Sequence, residues 1–245
     1  LCFCGVDSRN LHDLLPLPIT RASAAHVAAR VREAASRIER PMAVENITHY
    51  WVPGQPTIDE TSFIGDILTE SGAGLVLDVN NVYVNGKNYG FDPYAWLAKI
   101  PLDRVVEVHI AGHERDEDDD VILDTHGAPV LPDVTEILTW LIERTGPLPV
   151  LLERDNKVPP LDELLEERAR IDEAYRRGLA RHENASKPSV CAITPSIAAA
   201  EGDDAGRVKR LRRLVQRIVG DPEAPASIAS DARAYVASAG LPRAD

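Results

Sequence analysis

The sequence is poor in cysteine, with Cys2, Cys4 and Cys191 the only three in 245 residues. Three cannot build a disulfide framework, so reduced thiols and a cytoplasmic setting are expected. Cys2 and Cys4 alternate on one short apolar run and read as buried, inert thiols. No apolar run approaches the roughly 20 residues that cross a bilayer, and no charged-then-apolar leader argues for export. Basic residues are also short: 27 Lys and Arg stand against 39 Asp and Glu, for a net charge of −12 at pH 7. A protein that grips nucleic acid by neutralising phosphates leans the other way, so neither nucleic acid nor a membrane is an expected partner. What is present is 44% apolar and 27% charged residues, enough for one large α/β domain, alone or with an appendage.

Short β-branched runs alternate with helical patterns. The runs are Leu1–Cys4, Met42–Glu45, Gly74–Asp78, Val105–Ile110 and Val150–Glu153. Between them lie helical patterns at Ala22–Ile38, Asp59–Glu70, Pro93–Ile100 and Pro132–Arg144, and Leu161–Arg181 follows the last. Apolar strands alternating with helices predict a parallel sheet covered by helices. Val44, Leu75, Val105 and Val150 are separated by 31, 30 and 45 residues. That rhythm suits a (β/α)8 barrel better than a doubly wound sheet, and no glycine-rich dinucleotide loop follows any strand. Five strands are counted where a closed barrel has eight, and the chain opens on Leu inside a strand. The expectation is therefore an N-terminally incomplete barrel, about five of eight βα units.

The predicted organisation is a partial barrel over 1–183, a linker over 184–206 rich in Ser, Pro, Ala and Gly, and a helical tail over 207–245. Within the tail, Arg207–Val219 reads as a basic amphipathic helix, with Val208, Leu211, Val215 and Ile218 on one stripe. It would dock on the acidic body or present a surface to an acidic partner.

The polar residues fall at strand ends. Met42–Val44 runs into Glu45 and Asn46, and Leu75–Leu77 into Asp78, with Asn80 and Asn81 just beyond. Val105–Val108 leads to His109 and then His113. Val121–Leu123 leads to Asp124, Thr125 and His126, and Val150–Leu152 ends at Glu153, Arg154 and Asp155. In a βα barrel the C-terminal strand ends share one rim, so these residues are expected to converge. Carboxylates crowded there repel one another unless positive charge sits among them, and Arg154 alone is too little. Acids mixed with imidazoles suit Fe, Mn or Zn, and the set is too large for one tetrahedral ion. Asp78 reads equally well as a helix N-cap, and His113 as a group that orients a ligand. His12, in a distinctive loop, and His26, His49 and His182 read as surface or packing histidines; Glu114–Asp120 reads as a solvated acidic loop.

Six motifs carry a resemblance: LHDLLPLP (Leu11–Pro18), ENITHY (Glu45–Tyr50), LVLDVNNVYVN (Leu75–Asn85), VHIAGH (Val108–His113), DTHGAPV (Asp124–Val130) and LLERDNKVPPL (Leu151–Leu161). In this order, over roughly residues 1–165, they resemble the DUF692/UPF0276 family of multinuclear non-haem iron-dependent oxidative enzymes, which includes the iron enzyme of methanobactin biosynthesis. The resemblance implies a xylose-isomerase-like TIM barrel with two or three irons at its mouth. It implies O2 as co-substrate, a cysteine-containing, ribosomally made precursor peptide as substrate, and a peptide-recognition partner protein. It also implies Glu45, Asp78, His109, Asp124, His126 and Glu153 as iron ligands, and Asn81 as a further, weaker one. The family's early strands, with at least two more histidines, have no counterpart here, so weak iron binding or poor folding is expected of this chain by itself. Two other readings stay open: a xylose-isomerase- or endonuclease-type barrel using another divalent metal, and a non-catalytic scaffold assembled through its basic tail.

Overall fold

The computed structural model describes residues 1–6, 9–116 and 121–186. The predicted tail helix, Cys191 and all of the predicted linker except 184–186 lie outside these residues. Eight strands and six α-helices are found in the described part: β1 (Cys2–Val6), β2 (Arg9–Pro16), α1 (Arg21–Ile38), β3 (Ala43–Glu45), α2 (Glu60–Ser71), β4 (Gly74–Asp78), α3 (Val79–Tyr89), α4 (Pro93–Leu97), β5 (Val105–Ala111), β6 (Glu114–Asp116), β7 (Val121–Leu123), α5 (Pro132–Thr145), β8 (Val150–Glu153) and α6 (Leu161–Ser186). A 3-10 turn at Leu102–Arg104 leads into β5.

The centre of the fold is a four-stranded parallel sheet in the order β3-β4-β5-β8. The α/β expectation holds, and the sheet is compatible with part of a TIM barrel. Leu75, Leu77, Val108 and Ile110 have no exposed surface and meet Ile64, Ile67 and Leu68 of α2 and Leu138, Leu141 and Ile142 of α5 in one core. Each such side chain contributes about 1.5–3 kcal/mol by leaving water. The helices start where the sequence supplies caps: Thr20 accepts from the Ser23 amide ahead of α1, Asp59 from Ser62 ahead of α2, and Asp92 from Tyr94 ahead of α4.

Three expectations are corrected. The Leu1–Cys4 run becomes β1 and pairs antiparallel with β2, so four strands rather than five lie in the parallel sheet. A strand closing on its sequence neighbour loses little loop entropy, and LHDLLPLP, read as a loop around His12, supplies that neighbour. The acidic run is not all loop, because Glu114–Asp116 pairs with Val121–Leu123 as a hairpin. The eleven residues from Val79 to Tyr89, not read as a helix, form α3. No helix among the described residues is long and apolar enough to cross a membrane.

Candidate metal centre

Register brings the strand-end acids and imidazoles together. Glu45 ends β3, Asp78 ends β4 opposite His109 of β5, and Glu153 ends β8 opposite Ala111. Glu45, Asp78, His109 and Glu153 each offer one ligand atom, all within 4.8 Å of one another. His109 Nδ1 lies 2.9 Å from Glu45 Oε1 and 3.3 Å from Glu153 Oε1. Asp78 is locked at the junction of β4 and α3. Its Oδ1 accepts from the Asn81 amide as the N-cap of α3, and Asn46 pairs with its main chain through both ends of a carboxamide, at 2.9 and 3.0 Å. The N-cap reading of Asp78 is met by one oxygen, while the other, Oδ2, is buried without a hydrogen-bond partner.

A second group adjoins the first. His126 Nε2 stands 3.0 Å from Asp124 Oδ1, and its Nδ1 lies 3.1 Å from Asp155 Oδ2 and 3.4 Å from Glu153 Oε2. Glu153 thus turns one oxygen toward His109 and the other toward His126. Although close to Asp124, Nε2 is buried and finds no aligned hydrogen-bond partner. His126 also holds a left-handed backbone at φ 49°, an uncommon and costly state for a residue with a side chain. Three contacts hold the loop there. Asn156 donates to the Thr125 carbonyl at 2.9 Å, and the Asp124 amide donates to the Tyr50 hydroxyl at 2.8 Å. Gly112, buried at the end of β5, packs directly under the Ala128 and Pro129 main chain.

The electrostatics are those of carboxylates crowded beyond what their surroundings support. Burial drives the Asp78 carboxyl well above its ordinary range against the Asn81 amide, with Asp124 and Glu45 adding repulsion. Burial likewise raises Glu153, which the His109 and His126 rings partly relieve. The Asp124 carboxylate raises His126 to about 9 against an opposing effect of burial, with Asp78 and Glu153 adding to the rise. Burial is the main cause for the two carboxyls and Asp124 for the ring, and a cation bound among them would favour both carboxyls in their ionised form. A buried carboxylate oxygen and a buried imidazole nitrogen, both without hydrogen-bond partners, are what a bound cation would satisfy. Five carboxylates and two imidazoles without thiolate fit a first-row transition metal such as iron, manganese or zinc.

The structure brings six of the seven residues singled out from the sequence into these two adjoining groups. The seventh, Asn81, spends its amide on the chain: Oδ1 accepts from Thr48 at 2.7 Å and Nδ2 donates to the Asn46 carbonyl at 3.0 Å. Asp155 and Asn80 were not chosen, yet both belong to the site. Asp155 sits beside His126, and Asn80 Nδ2 donates to Asp124 Oδ1 at 2.7 Å. Their position beside strand ends was the available signal. Arg154 is not among the acids: it lies 3.9 Å from Glu167 of α6. His49 and His182 are packing histidines, as read, and His26 is exposed.

The family described as RiPP precursor modification enzyme MbnB/TglH/ChrH matches residues 1–176. Relatives named only as UPF0276 proteins are similar over the same part. The one from Pseudomonas aeruginosa is 44% identical over 172 residues, 70% of this chain and 60% of its own length. Those from Shewanella amazonensis and Caulobacter vibrioides are 43% and 40% identical, covering 70% and 68% of this chain and 60% and 59% of theirs. The chain thus spans about three fifths of the length of these relatives.

Proposed function

Because the chain belongs to the RiPP precursor modification enzyme family MbnB/TglH/ChrH, we propose that it carries the metal-holding part of an iron-dependent, O2-using enzyme that oxidises cysteine-containing ribosomally made peptides. The observation that carries this reading is the Asp78 carboxylate, buried at the end of β4 with one oxygen unpartnered among Glu45, His109 and Glu153. Two or three iron ions held by these residues and by Asp124 and His126 would supply the redox chemistry with O2.

The chain's own residues do the rest. Asn46 and the first turn of α3 fix Asp78 so that its free oxygen cannot swing away. Glu153 joins the two groups, one oxygen to each side. Glu45, whose side chain is 38% exposed, marks the open side from which a cysteine side chain of the peptide approaches. The exposed Tyr50 and Trp51 stand on the loop after β3, and Tyr50 touches the main chain of Asp124, so this loop borders the same opening. In this reading the four parallel strands are an arc of a xylose-isomerase-like barrel, the enzyme works in the cytoplasm, and a separate recognition protein delivers the peptide.

The test is anaerobic Fe(II) loading with metal analysis, then exposure to O2 with cysteine-containing peptides and mass spectrometry. Iron in preference to zinc, and a peptide mass change lost when Asp124→Ala and His126→Ala are combined, are the expected results. A mass change that survives the double substitution, or zinc retained in place of iron, refutes the reading.

A further inference from the structure

We propose that Asn80 and His113 are positioning residues: a hydrogen-bonded relay from the His113 ring through the Asn80 carboxamide holds the Asp124 carboxylate against His126. The inference rests on the metal-binding reading of Asp124 and His126 for its consequence, but its geometry stands independently.

Asn80 has no exposed surface and His113 is 9% exposed. His113 Nδ1 lies 2.7 Å from Asn80 Oδ1, and Asn80 Nδ2 lies 2.7 Å from Asp124 Oδ1. Direction follows from chemistry. An ionised carboxylate only accepts, so the amide must turn its nitrogen toward Asp124 and its oxygen toward His113. An amide oxygen also only accepts, so His113 must carry its proton on Nδ1. Burial lowers the His113 pKa and keeps the ring neutral, which leaves Nε2 as the bare nitrogen. The imidazole is fixed from a second side by stacking on Tyr83, with ring centroids 5.0 Å apart. Tyr83 lies three residues beyond Asn80, so one face of α3 supplies both the stacking partner and the amide. His113 follows Gly112, so the relay ties the end of β5 to the loop that carries Asp124 and His126. Outer partners of this kind typically set metal affinity by a factor of about 10–100.

Two substitutions separate positioning from packing. His113→Asn keeps a donor where Nδ1 stood, whereas His113→Leu removes it, and both lose the stack on Tyr83. Titration with Zn(II), a diamagnetic probe, should show affinity reduced about 10–100-fold in the Leu variant and largely restored in the Asn variant. The metal-free variants should unfold at similar urea concentrations. Nitrogen-15 NMR of the metal-free wild-type protein should find His113 protonated on Nδ1. Equal affinities in the two variants, or a proton on Nε2 with Nδ1 bare, overturn the relay, the latter because the amide would then be flipped with its oxygen toward Asp124. If the wild-type protein takes up no metal while His113 is protonated on Nδ1, the metal reading falls and the relay stands.

Discussion

Gly112→Ala is the sharpest probe of how the fold delivers the second group of the site. Gly112 follows β5 directly, and a methyl group built on it runs into the Ala128 carbonyl oxygen, with the Ala128 carbonyl carbon at 2.5 Å and the Pro129 carbonyl oxygen at 2.7 Å. Ordinary contact begins near 3.4 Å, so the Ala128–Pro129 main chain must retreat by more than roughly an ångström or the end of β5 must bend. Neither partner is the flexible tip of a side chain that could turn aside. Overpacking of this kind costs about 1–3 kcal/mol, and here the retreat falls two residues after His126. His126 already holds a left-handed backbone, and its Nε2 lies 3.0 Å from Asp124 Oδ1, so the loop has little slack. The expected result is lowered stability in urea, together with metal affinity reduced at the Asp124–His126 side. Gly178→Ala separates the two effects. It meets Ile142 Cβ and the Thr139 carbonyl oxygen, each at 2.8 Å, between α5 and α6 and away from the site. Its contacts are looser, so it should lower stability by less than Gly112→Ala and leave metal affinity unchanged. If Gly112→Ala binds metal as the wild type does, or if both variants lose affinity equally, the reasoning is refuted.

Glu60 gives a pH test. Burial raises its carboxyl to about 7 despite a hydrogen bond donated by Trp96 Nε1 at 3.0 Å. A raised carboxyl favours the folded state below its ordinary pKa near 4.5, and that advantage is lost as pH rises through about 7. With a fifth of the side chain exposed, the loss is about 1–2 kcal/mol rather than the full shift. Glu60→Gln should therefore match the wild type in urea at pH 4 and exceed it by that amount at pH 8; equal stability at both refutes the assignment. Glu167 and Arg154 are buried side by side, with side chains 3% and 8% exposed, and Glu167 Oε1 also accepts from the Val130 amide at 2.6 Å. Arg154 Nε and Nη1 already lack hydrogen-bond partners, so Glu167→Leu alone should destabilise by about 3 kcal/mol, partly by removing the one opposing charge and partly by leaving the Val130 amide unpaired. Adding Arg154→Met should recover the share owed to the unpaired charge but not that of the Val130 amide in a double-mutant cycle, and an additive loss would show that the pair is not coupled.

The parts of the fold legible in the sequence were those fixed by period and topology. GLVLD reads as a buried strand because Leu75 and Leu77 share a face, and both have no exposed surface. The α3 helix was not legible, because Val79, Val82, Tyr83 and Val84 favour strands and four asparagines favour turns. It is a helix because Asp78 caps its start, Gly90 takes φ 74° at its end, and every residue from Val79 to Gly86 is buried, so tertiary packing overrides local preference.

The same division explains the site. Parallel strands bring their C-terminal ends to one rim whatever their neighbours do, so, although only the resemblance names them as ligands, the convergence of Glu45, Asp78, His109 and Glu153 could be read from spacing. Hydrogen-bond direction cannot, which is why Asn80 and Asn81, adjacent and chemically identical, part company: Asn80 braces Asp124, while Asn81 laces α3 to the loop after β3. Arg154 shows where the rim ends: the first residue past β8, directly after Glu153, reaches toward Glu167 of α6 rather than toward the acids. The charges acting on Asp78 and Glu153 are consequently carboxylates and imidazoles alone. A cluster built this way, with the nearest arginine in sequence turned away from it, gathers mixed oxygen and nitrogen donors of the kind that suit a transition-metal ion.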